Sequence, residues 1–586
     1  MLVYGGGASR QSAAEVIARM GHDMQRAAGM PAGLARHSLL VTLLIEAGML
    51  AQGVADGRFE ATGQDTACGD GDDTMALTTA LARCCTESWF SGFATCGPLP
   101  VGLLARCESA MPDTPLVLKV PEGYAFYALY PETYGEAARR CRDAAPRWQV
   151  VGLRSIGTSL AAMVAVGLGA PMPRSLRPIG HPFSREIAAT PLQGIDDATA
   201  VAVVDEGPGL SGSSMAAAGR WLQQAGVATN RLHFFPSHPG LPGPEASARV
   251  RTLWSHVSRE HVSFDEGVRQ APRPEHRLHN WVETLVGPLT APLQDLGGGA
   301  WRSLQARDEG EATPPAHPWQ ERLKYLARSR DGTWLVKFAG LGRMGDRALA
   351  RARALAAGGF TPAPAGLCHG FLVERWRDDL RPLPARLPAT RRAGLIAHIG
   401  DYLGFRARSF PARDDSGASL ESLLEMTRCN AAEALGDAAA ESAARLAHAF
   451  RHAAAKVVRV ETDNRMHRWE WLAGPSLFLK TDAIDHAAAH DLVGCQDIAW
   501  DVVGAEVEFG LSQAEVRVLA DRIAQQGAHV DPSLVELLRP CYLAFQWAHF
   551  AMAVNAADAS AGAALSIERD RYRNALHAAL QADPGR

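Results

Sequence analysis

The spacing of apolar residues over the first hundred positions is typical of helices. Apolar side chains recur three and four residues apart in segments such as SAAEVIARMGHDMQRA and MALTTALARCC, and residues at this spacing lie on one face of a helix. We therefore predict a helical amino-terminal segment over residues 1–111. Its longest apolar run, residues 38–50, contains Glu46 and is too short to span a bilayer, so we expect a buried helix there and no membrane segment.

Short apolar runs alternate with amphipathic helices over residues 112–260. The runs include LVLKV, WQVVGL, AVAVVDE and RLHFFPS. Strands that alternate with helices of this length are typical of right-handed crossovers and of a mainly parallel sheet. The fold class predicted here is α/β, with a central doubly wound parallel sheet.

Residues 261–320 include GPLTAPLQDLGGGAW and EGEATPPAHPW, which are dense in proline and glycine, and we predict a linker there. A further α+β domain is predicted over residues 321–586. It opens with two strand patterns joined by the turn Arg330-Asp331-Gly332, and it becomes largely alanine-rich and helical from about residue 390.

Composition adds only general limits. The 586 residues are 47% hydrophobic and 21% charged, which indicates an ordinary globular protein of two to four domains. A formal net charge of -4 gives no overall attraction to nucleic acid or anionic lipid, so small-molecule partners are expected. The ten cysteines form no CxxC pair, and no secretory signal is visible, which favours a cytoplasmic location. The sequence leaves a homodimer open.

The stretch VAVVDEGPGLSGSS, residues 201–214, ends an apolar strand with two acids and continues with a loop of small residues. Backbone NH groups between a strand and a helix form an anion site when side chains stay out of the way. The carboxylates of Asp205 and Glu206 would repel a phosphate but can accept hydrogen bonds from vicinal hydroxyls. A sugar phosphate satisfies both halves of the stretch.

This stretch resembles the motif for phosphoribosyl pyrophosphate in type I phosphoribosyltransferases. The resemblance implies that Asp205 and Glu206 bind the ribose 2′ and 3′ hydroxyls. It also implies that the 5′-phosphate binds small residues of the loop, which are Gly209, Ser211, Gly212, Ser213 and Ser214. Pro208 and Leu210 depart from the usual threonine-rich loop, so a surface turn in another doubly wound fold is the alternative.

A second loop upstream resembles the pyrophosphate loop of the same family. It lies in VVGLRSIGTSLAAMVAVGLG, residues 150–169, between an apolar strand and a helix. Arg154 carries a planar fork of donors, and Ser155, Gly157 and Thr158 would bring NH and hydroxyl groups to a diphosphate. The basic segment RSLRPIGHPFSRE between the two loops is either a solvated loop or a mobile lid. The resemblance implies displacement of pyrophosphate at the anomeric carbon, with Mg²⁺ and with Arg154, Asp205 and Glu206 in the catalytic site.

Lys337 lies in the middle of the apolar strand GTWLVKFAG, where an unpaired lysine would be costly to bury. It therefore needs a carboxylate or a phosphate. The segments GFLVERW, VETDNRMHRWEWL, SLFLKTDAIDH and GCQDIAWDVVGAEVEF follow in that order. Together they resemble the kinase-like fold of aminoglycoside and choline phosphotransferases.

That resemblance implies ATP and Mg²⁺ as cofactors and assigns a role to each motif. Lys337 would hold the nucleotide phosphates, Asp463 would be the base, and Asp482 or Asp485 would bind Mg²⁺. Asp497 would brace the catalytic loop. The sequence departs from the family because no glycine-rich loop precedes Lys337, and Arg468 stands where an asparagine is expected. A degenerate kinase fold is the alternative.

Two further clusters have residue types that could bind a cation. His486 and His490 stand four positions apart and could ligate a metal with Asp482 or Asp485, but an ordinary exposed helix face is favoured. Asp70, Asp72 and Asp73 lie in one short loop without the downstream glutamate of a calcium loop, and a helix-capping turn is favoured.

The leading functional prediction is phosphoribosyl transfer from phosphoribosyl pyrophosphate to an unidentified base or small molecule, coupled to a kinase-like domain. One alternative is a non-catalytic sensor of nucleotide or phosphoribosyl pyrophosphate. The other is a small-molecule kinase whose α/β domain only binds substrate.

Overall fold

The structure is a computed structural model that describes residues 7–66, 72–111, 114–304, 313–317, 321–557 and 559–581. Asp70, one of the three acids weighed as a cation site, lies outside the described residues. Asp72 caps a helix, because its Oδ1 accepts a hydrogen bond of 3.2 Å from the Met75 NH. The capping turn predicted for Asp72 is therefore confirmed.

The amino-terminal segment is helical except for its first strand. Its elements are β1 (Ala8–Ser12), α1 (Ala13–Gly29), α2 (Leu34–Thr62), α3 (Asp73–Phe90) and α4 (Val101–Ala110). Of the helices that the structure describes, only α2 is long and apolar enough to cross a membrane by length and composition. Because 78% of its most apolar window is buried inside the protein, α2 is accounted for as a core helix.

A five-stranded parallel sheet follows, as predicted. The elements from here to its last strand are β2 (Pro115–Lys119), α5 (Glu122–Phe126), α6 (Pro131–Cys141), β3 (Arg147–Leu153), α7 (Gly157–Leu168), β4 (Arg174–Leu176), β5 (Pro178–His181), β6 (Ser184–Ile187), β7 (Thr199–Val204), α8 (Ser213–Gln224), β8 (Leu232–Phe235), α9 (Ala248–His256) and β9 (Ser258–Arg259). The strand order is β4-β3-β7-β8-β9. β2 pairs with β1 instead, and β5 and β6 form a separate hairpin.

Both faces of the parallel sheet are covered, which makes it doubly wound. Alternate residues of β7 divide between two cores: Ala202 and Val204 belong to the core that includes α7, whereas Val201 and Val203 belong to the core that includes α8 and α9. The chain leaves β3 for β4 on one side and returns to β7 on the other. The strand order therefore reverses between β3 and β7, which is where ligands bind in open α/β sheets.

The region predicted to be a linker contributes regular structure. It contains α10 (Leu278–Val286) and β10 (Gln294–Asp295), and Trp281 and Val282 of α10 are buried. β10 is the edge strand of an antiparallel sheet with the order β10-β11-β12-β14-β13. The other elements of this layer are β11 (Lys324–Ser329), β12 (Gly332–Phe338), α11 (Arg343–Ala357), β13 (Pro364–Cys368) and β14 (Phe371–Arg375).

The remainder is mostly helical, as predicted. It contains β15 (Arg381–Pro382), α12 (Ala389–Ser409), α13 (Leu420–Leu435), α14 (Asp437–Ala444), α15 (Ala447–Ala453), β16 (Arg459–Val460), β17 (Trp471–Ala473), β18 (Phe478–Lys480), β19 (Gln496–Asp497), α16 (Ala499–Phe509), α17 (Gln513–Gln525), α18 (Pro532–Ala556) and α19 (Ala559–Gln581).

One apolar core joins parts that the sequence suggested were separate. It includes residues of α1, α2 and α3, one face of the parallel sheet, and Val336, Phe338 and Phe371 of the antiparallel sheet. Arg343 at the start of α11 also forms ion pairs with Asp23 of α1 and Glu46 of α2. The amino-terminal helices are thus a shared wall between the two sheets.

Candidate functional site

A cavity of about 430 Å³ lies between the antiparallel sheet and the helical remainder of the chain. Its lining includes three of the residues to which the kinase-like resemblance assigns a role, Lys337, Asp482 and Asp485. It also includes Arg322, Glu374 and His486. The cavity is therefore the place to test the phosphotransferase prediction.

Lys337 of β12 is paired with carboxylates, as its burial requires. Its Nζ lies 2.6 Å from Asp482 Oδ1 and 3.4 Å from Asp485 Oδ1. Burial opposes the charge of this lysine, but the two carboxylates outweigh burial and raise the pKa of Lys337. Arg322 Nε lies 3.2 Å from Asp485 Oδ2. Two cations and two carboxylates thus meet at the wall of the cavity.

Glu374 adds a second kind of acid to this wall. It lies in β14, which pairs with β12, and its side chain is buried. Burial raises the pKa of Glu374 to about 8, although Lys337 opposes this shift. The Glu374 carboxyl is therefore mostly protonated at neutral pH and can donate as well as accept a hydrogen bond.

Asp463 does not reach the cavity, which corrects its prediction as the catalytic base. Its side chain is fully buried, accepts a hydrogen bond from the Tyr402 hydroxyl, and is absent from the cavity lining. The ring of His486 lies between Asp463 and Asp482, with Nδ1 2.9 Å from Asp463 Oδ1 and Nε2 3.6 Å from Asp482 Oδ2. The Asp463 carboxylate is therefore separated from the cavity by the His486 ring in this structure.

His486 carries positive charge at neutral pH. Burial lowers its pKa, but the carboxylates of Asp482 and Asp463 prevail and raise the pKa of His486 to about 9. Nδ1 must carry a proton because both atoms it approaches at 2.9 Å, the backbone oxygen and Oδ1 of Asp463, are acceptors. Asp463 therefore serves to hold an imidazolium at the cavity wall.

The loop around Asp463 is braced by Asp501 and not by Asp497. The Asp501 carboxylate accepts hydrogen bonds from the NH groups of Asp463 at 2.6 Å and Asn464 at 2.8 Å. Asp497 instead accepts from the NH groups of Val458 and Ala499. The second aspartate of the motif DIAWD, and not the predicted first one, therefore performs the bracing.

Lys480 is a further charged residue of this region, and it was not predicted from the sequence. It is fully buried in β18, with Nζ 2.6 Å from Glu470 Oε2 and 3.6 Å from Asp463 Oδ2. The signal was present, because Lys480 stands in the apolar run LFLKT just as Lys337 stands in WLVKF. It neutralises acids next to the cavity.

His490 does not join His486 as a metal ligand. Only residues 486–488 are helical, as one 3₁₀ turn, so the two histidines do not share a helix face. The His490 ring stacks on Phe126 with centroids 4.7 Å apart, and its Nε2 lies 2.6 Å from the Tyr127 hydroxyl. Phe126 and Tyr127 belong to the α/β part of the chain and also line the cavity.

The cavity has side chains that suit a nucleotide and a magnesium ion. Asp482 and Asp485 offer the oxygen ligands that Mg²⁺ prefers, and Lys337 and Arg322 offer donors to phosphate oxygens. Leu335, Trp376 and Leu380 add apolar wall for a base. The fit therefore covers the charged and the apolar ends of a nucleoside triphosphate.

The two loops of the phosphoribosyltransferase resemblance meet at the carboxyl edge of the parallel sheet. They follow β3 and β7, which are neighbouring strands on either side of the reversal point. A Cβ on Gly157 would lie 2.6 Å from the Val204 oxygen, so only glycine fits this approach. Ser155 is partly exposed there, whereas Thr158 is buried.

Asp205 and Glu206 are half-buried at this edge, and the Gly123 NH donates to Glu206 Oε2 at 3.1 Å. Burial raises the pKa of Asp205 to about 7. Burial and the neighbouring Asp205 raise the pKa of Glu206 to about 8. Neither carboxylate forms an ion pair among the described residues, so both are available to a ligand.

Arg154 is not available to pyrophosphate, which corrects its prediction as a catalytic residue. Its side chain is 1% exposed, with Nε 2.8 Å from Asp56 Oδ1 and Nη2 2.6 Å from Asp65 Oδ1. These acids come from the amino-terminal region, whose contacts the sequence did not reveal. Arg154 ties that region to the end of β3.

Part of the predicted phosphate loop is already occupied. The Ser213 hydroxyl donates to the Pro182 oxygen at 2.7 Å, and the Ser211 hydroxyl lies 3.3 Å from the same oxygen and 3.0 Å from Ser213 Oγ, so the β5–β6 hairpin lies against the loop. Gly212 caps α8 with φ 60° and is buried. Gly209 is exposed and Ser214 is partly exposed. Only these last two remain open to a phosphate.

The basic segment between the loops is largely structural. Arg174 is buried and donates to the oxygens of Thr190 and Asp65, and Arg177 bonds to Asp56 and to the Arg154 oxygen. Arg174 and Arg177 are therefore held by the protein and do not belong to a mobile lid. Its exposed part is the hairpin around His181.

The raised pKa of Asp205 predicts a pH-dependent stability. The folded state holds this proton more tightly than the unfolded chain, so stability is lost as pH rises from the ordinary value of 3.8 to about 7. Asp205→Asn removes that loss. In urea unfolding, the variant should match the wild type near pH 4 and exceed it by on the order of 2 kcal/mol near pH 8. A variant that is less stable than the wild type near pH 8 would contradict the assignment.

No protein-family model and no curated protein sequence matches the chain. Similar solved structures include the choline kinase LicA from Streptococcus pneumoniae, with 14% identity over 44% of this chain and 89% of that chain and a TM-score of 0.32. A choline/ethanolamine kinase family protein from Mesorhizobium loti has 14% identity over 50% of this chain and 94% of that chain, with a TM-score of 0.29. A putative aminoglycoside phosphotransferase from Ralstonia eutropha has 10% identity over 52% of this chain and 98% of that chain, with a TM-score of 0.30. Similarities of this size do not establish a family, and they give no support to phosphoribosyl transfer.

Proposed function

We propose that the cavity between the antiparallel sheet and the helical remainder binds magnesium-ATP and transfers its terminal phosphoryl group to a small molecule. One observation carries this proposal: Lys337 Nζ lies 2.6 Å from Asp482 Oδ1 at the cavity wall, so a strand lysine and a carboxylate that follows another strand converge on one point. A buried, paired lysine at a cavity wall is a ready donor to phosphate oxygens.

Phosphoryl transfer asks for positioning and charge neutralisation more than for covalent help from protein groups. Lys337 and Arg322 hold the phosphate oxygens in place. Asp482 and Asp485 hold Mg²⁺, which when bound neutralises charge that develops on the transferred group. The imidazolium of His486 adds a further positive charge beside Asp482. This division of work needs no exposed base at Asp463.

A melting-temperature experiment tests the nucleotide site. Magnesium-ATP should raise the melting temperature of the wild type, because a ligand that binds only the folded state stabilises it. Lys337→Arg should keep much of the rise and Lys337→Met should lose it. Lys456→Met is the matched control, because Lys456 pairs with Asp531 away from the cavity lining. A full rise in Lys337→Met would overturn the assignment.

A second candidate function belongs to the edge of the parallel sheet. We propose that Asp205, Glu206, Gly209 and Ser214 bind a phosphorylated sugar with vicinal hydroxyls, of which phosphoribosyl pyrophosphate is the leading example. The supporting observation is the placement of both loops at the reversal between β3 and β7. A transferase would transfer the phosphoribosyl group to an unidentified base and release pyrophosphate. A sensor would bind phosphoribosyl pyrophosphate and release no pyrophosphate.

Binding and chemistry can be separated at this second site. Phosphoribosyl pyrophosphate with Mg²⁺ should raise the melting temperature of the wild type and of Asp197→Asn, whose side chain is exposed, but not of Asp205→Asn. Pyrophosphate release in the presence of candidate bases then distinguishes a transferase from a sensor. A rise that is unchanged in Asp205→Asn would exclude the proposed hydroxyl contacts.

A further inference from the structure

Two histidines and a glutamate that do not line the cavity meet in the interior of the protein. His37 comes from α2, Glu132 from α6, and His369 from the turn between β13 and β14. Their side chains are all fully buried or nearly so. The cluster therefore joins the amino-terminal helices, the α/β part and the antiparallel sheet at one point.

Both histidines direct the same ring nitrogen to the carboxylate. The Nε2 atoms of His37 and His369 lie 2.8 and 3.0 Å from Glu132 Oε1. All three ligand atoms lie within 4.8 Å of one another. Four-coordinate zinc with bonds of about 2.0 Å separates its ligand atoms by about 3.3 Å, so only small shifts are needed to admit an ion.

The other ring nitrogens are held by hydroxyls. His37 Nδ1 lies 3.0 Å from Ser88 Oγ, and His369 Nδ1 lies 3.0 Å from Ser38 Oγ. The Ser38 hydroxyl donates its single proton to the Leu34 oxygen, so it accepts from His369, and Nδ1 of that ring carries a proton. A ligating histidine is held in this way when Nδ1–H donates outward and Nε2 faces the metal.

Hydrogen bonding alone leaves the cluster incomplete. Protons on both Nε2 atoms would satisfy Glu132 Oε1 but not Oε2, which is buried without a hydrogen-bond partner among the described residues. An unpaired buried carboxylate oxygen is costly. An ion bound between the rings and the carboxylate uses both Nε2 atoms and both carboxylate oxygens.

The turn at His369 has a left-handed backbone conformation. His369 has φ 42°, in the left-handed region that side chains other than glycine rarely adopt. The turn is held by the Tyr130 hydroxyl, which donates to the His369 oxygen at 2.7 Å. This turn brings the imidazole of His369 to Glu132.

We propose that His37, Glu132 and His369 bind one divalent transition-metal ion of the zinc class, which ties the three parts of the chain together. Two imidazoles and one carboxylate are donors suited to zinc and its neighbours and not to Mg²⁺ or Ca²⁺. The surrounding aromatic rings of Trp89, Phe93 and Trp281 exclude water, as in a structural site.

Zinc titration of the metal-free full-length protein tests this site. The protein is stripped with a chelator, and Zn²⁺ is added in the presence of excess Mg²⁺ while bound zinc and melting temperature are measured. We expect one zinc per chain and a higher melting temperature. His369→Gln should weaken zinc binding by more than about 100-fold. Asp482→Asn, which alters the proposed magnesium site, should leave zinc binding unchanged.

A spectroscopic measurement covers the case in which His369→Gln fails to fold. Co²⁺ bound to the wild type should give the intense visible bands of four-coordinate cobalt, and X-ray absorption of the zinc form should show two imidazole ligands. Absence of zinc binding, loss of zinc in Asp482→Asn, or a bound ion without imidazole ligands would each overturn the proposal.

Discussion

Asp482→Asn is expected to lower the rate of phosphoryl transfer from magnesium-ATP by a factor on the order of 10³. Asparagine keeps the size and one oxygen of the side chain but removes the charge that holds Mg²⁺. It also leaves Lys337 paired only with Asp485, 3.4 Å away. The measurement is the initial rate of ADP formation with a panel of small hydroxyl compounds as acceptors.

Asp415→Asn is the matched control for this prediction. Asp415 is exposed, pairs with Arg413 on the surface, and does not line the cavity. Its rate should equal that of the wild type. If Asp482→Asn keeps more than about a tenth of the wild-type rate, a metal-binding role for Asp482 fails.

Glu132→Ala is expected to lower the free energy of unfolding by about 3–5 kcal/mol. The change removes the acceptor that two buried imidazoles share and leaves a cavity in their place. Burial alone would raise the pKa of Glu132, but His369 and His37 hold it well below its ordinary value, so the group removed is a carboxylate. Urea unfolding in the presence of a chelator measures this effect without any contribution from metal.

Glu136→Ala provides a control on the same helix. Glu136 accepts one hydrogen bond of 2.8 Å, from Trp89 Nε1, and is only partly buried. Loss of one such bond costs about 1–2 kcal/mol. If Glu132→Ala lowers the free energy of unfolding by less than Glu136→Ala does, the buried cluster of His37, Glu132 and His369 does not hold the three parts of the chain together.

The fold was largely accessible from the sequence because its signals are local. Alternation of apolar runs with helices identified the parallel sheet, and the turn Arg330-Asp331-Gly332 identified the β11–β12 hairpin. The helix α10 was missed because proline and glycine on either side of it favoured a linker. The shared core was also invisible, since contacts between distant segments such as Arg343 with Asp23 leave no local pattern.

The candidate sites could be predicted only where their residues leave a local signal in the sequence. A lysine inside an apolar strand has to be paired, and this identified Lys337 and its partners Asp482 and Asp485. The sequence could not show that Arg154 would be used by Asp56 and Asp65, because those acids lie some ninety residues earlier in the chain. It likewise could not show that His486 screens Asp463 from the cavity.

The site of the nucleotide is the central claim, and crystals grown with a non-hydrolysable ATP analogue and Mn²⁺ test it most directly. We predict an anomalous manganese peak about 2.1 Å from carboxylate oxygens of Asp482 and Asp485, with phosphate density next to Lys337. Nucleotide density at any other place, or a manganese peak at Asp205 and Glu206 with an empty cavity, would contradict the account.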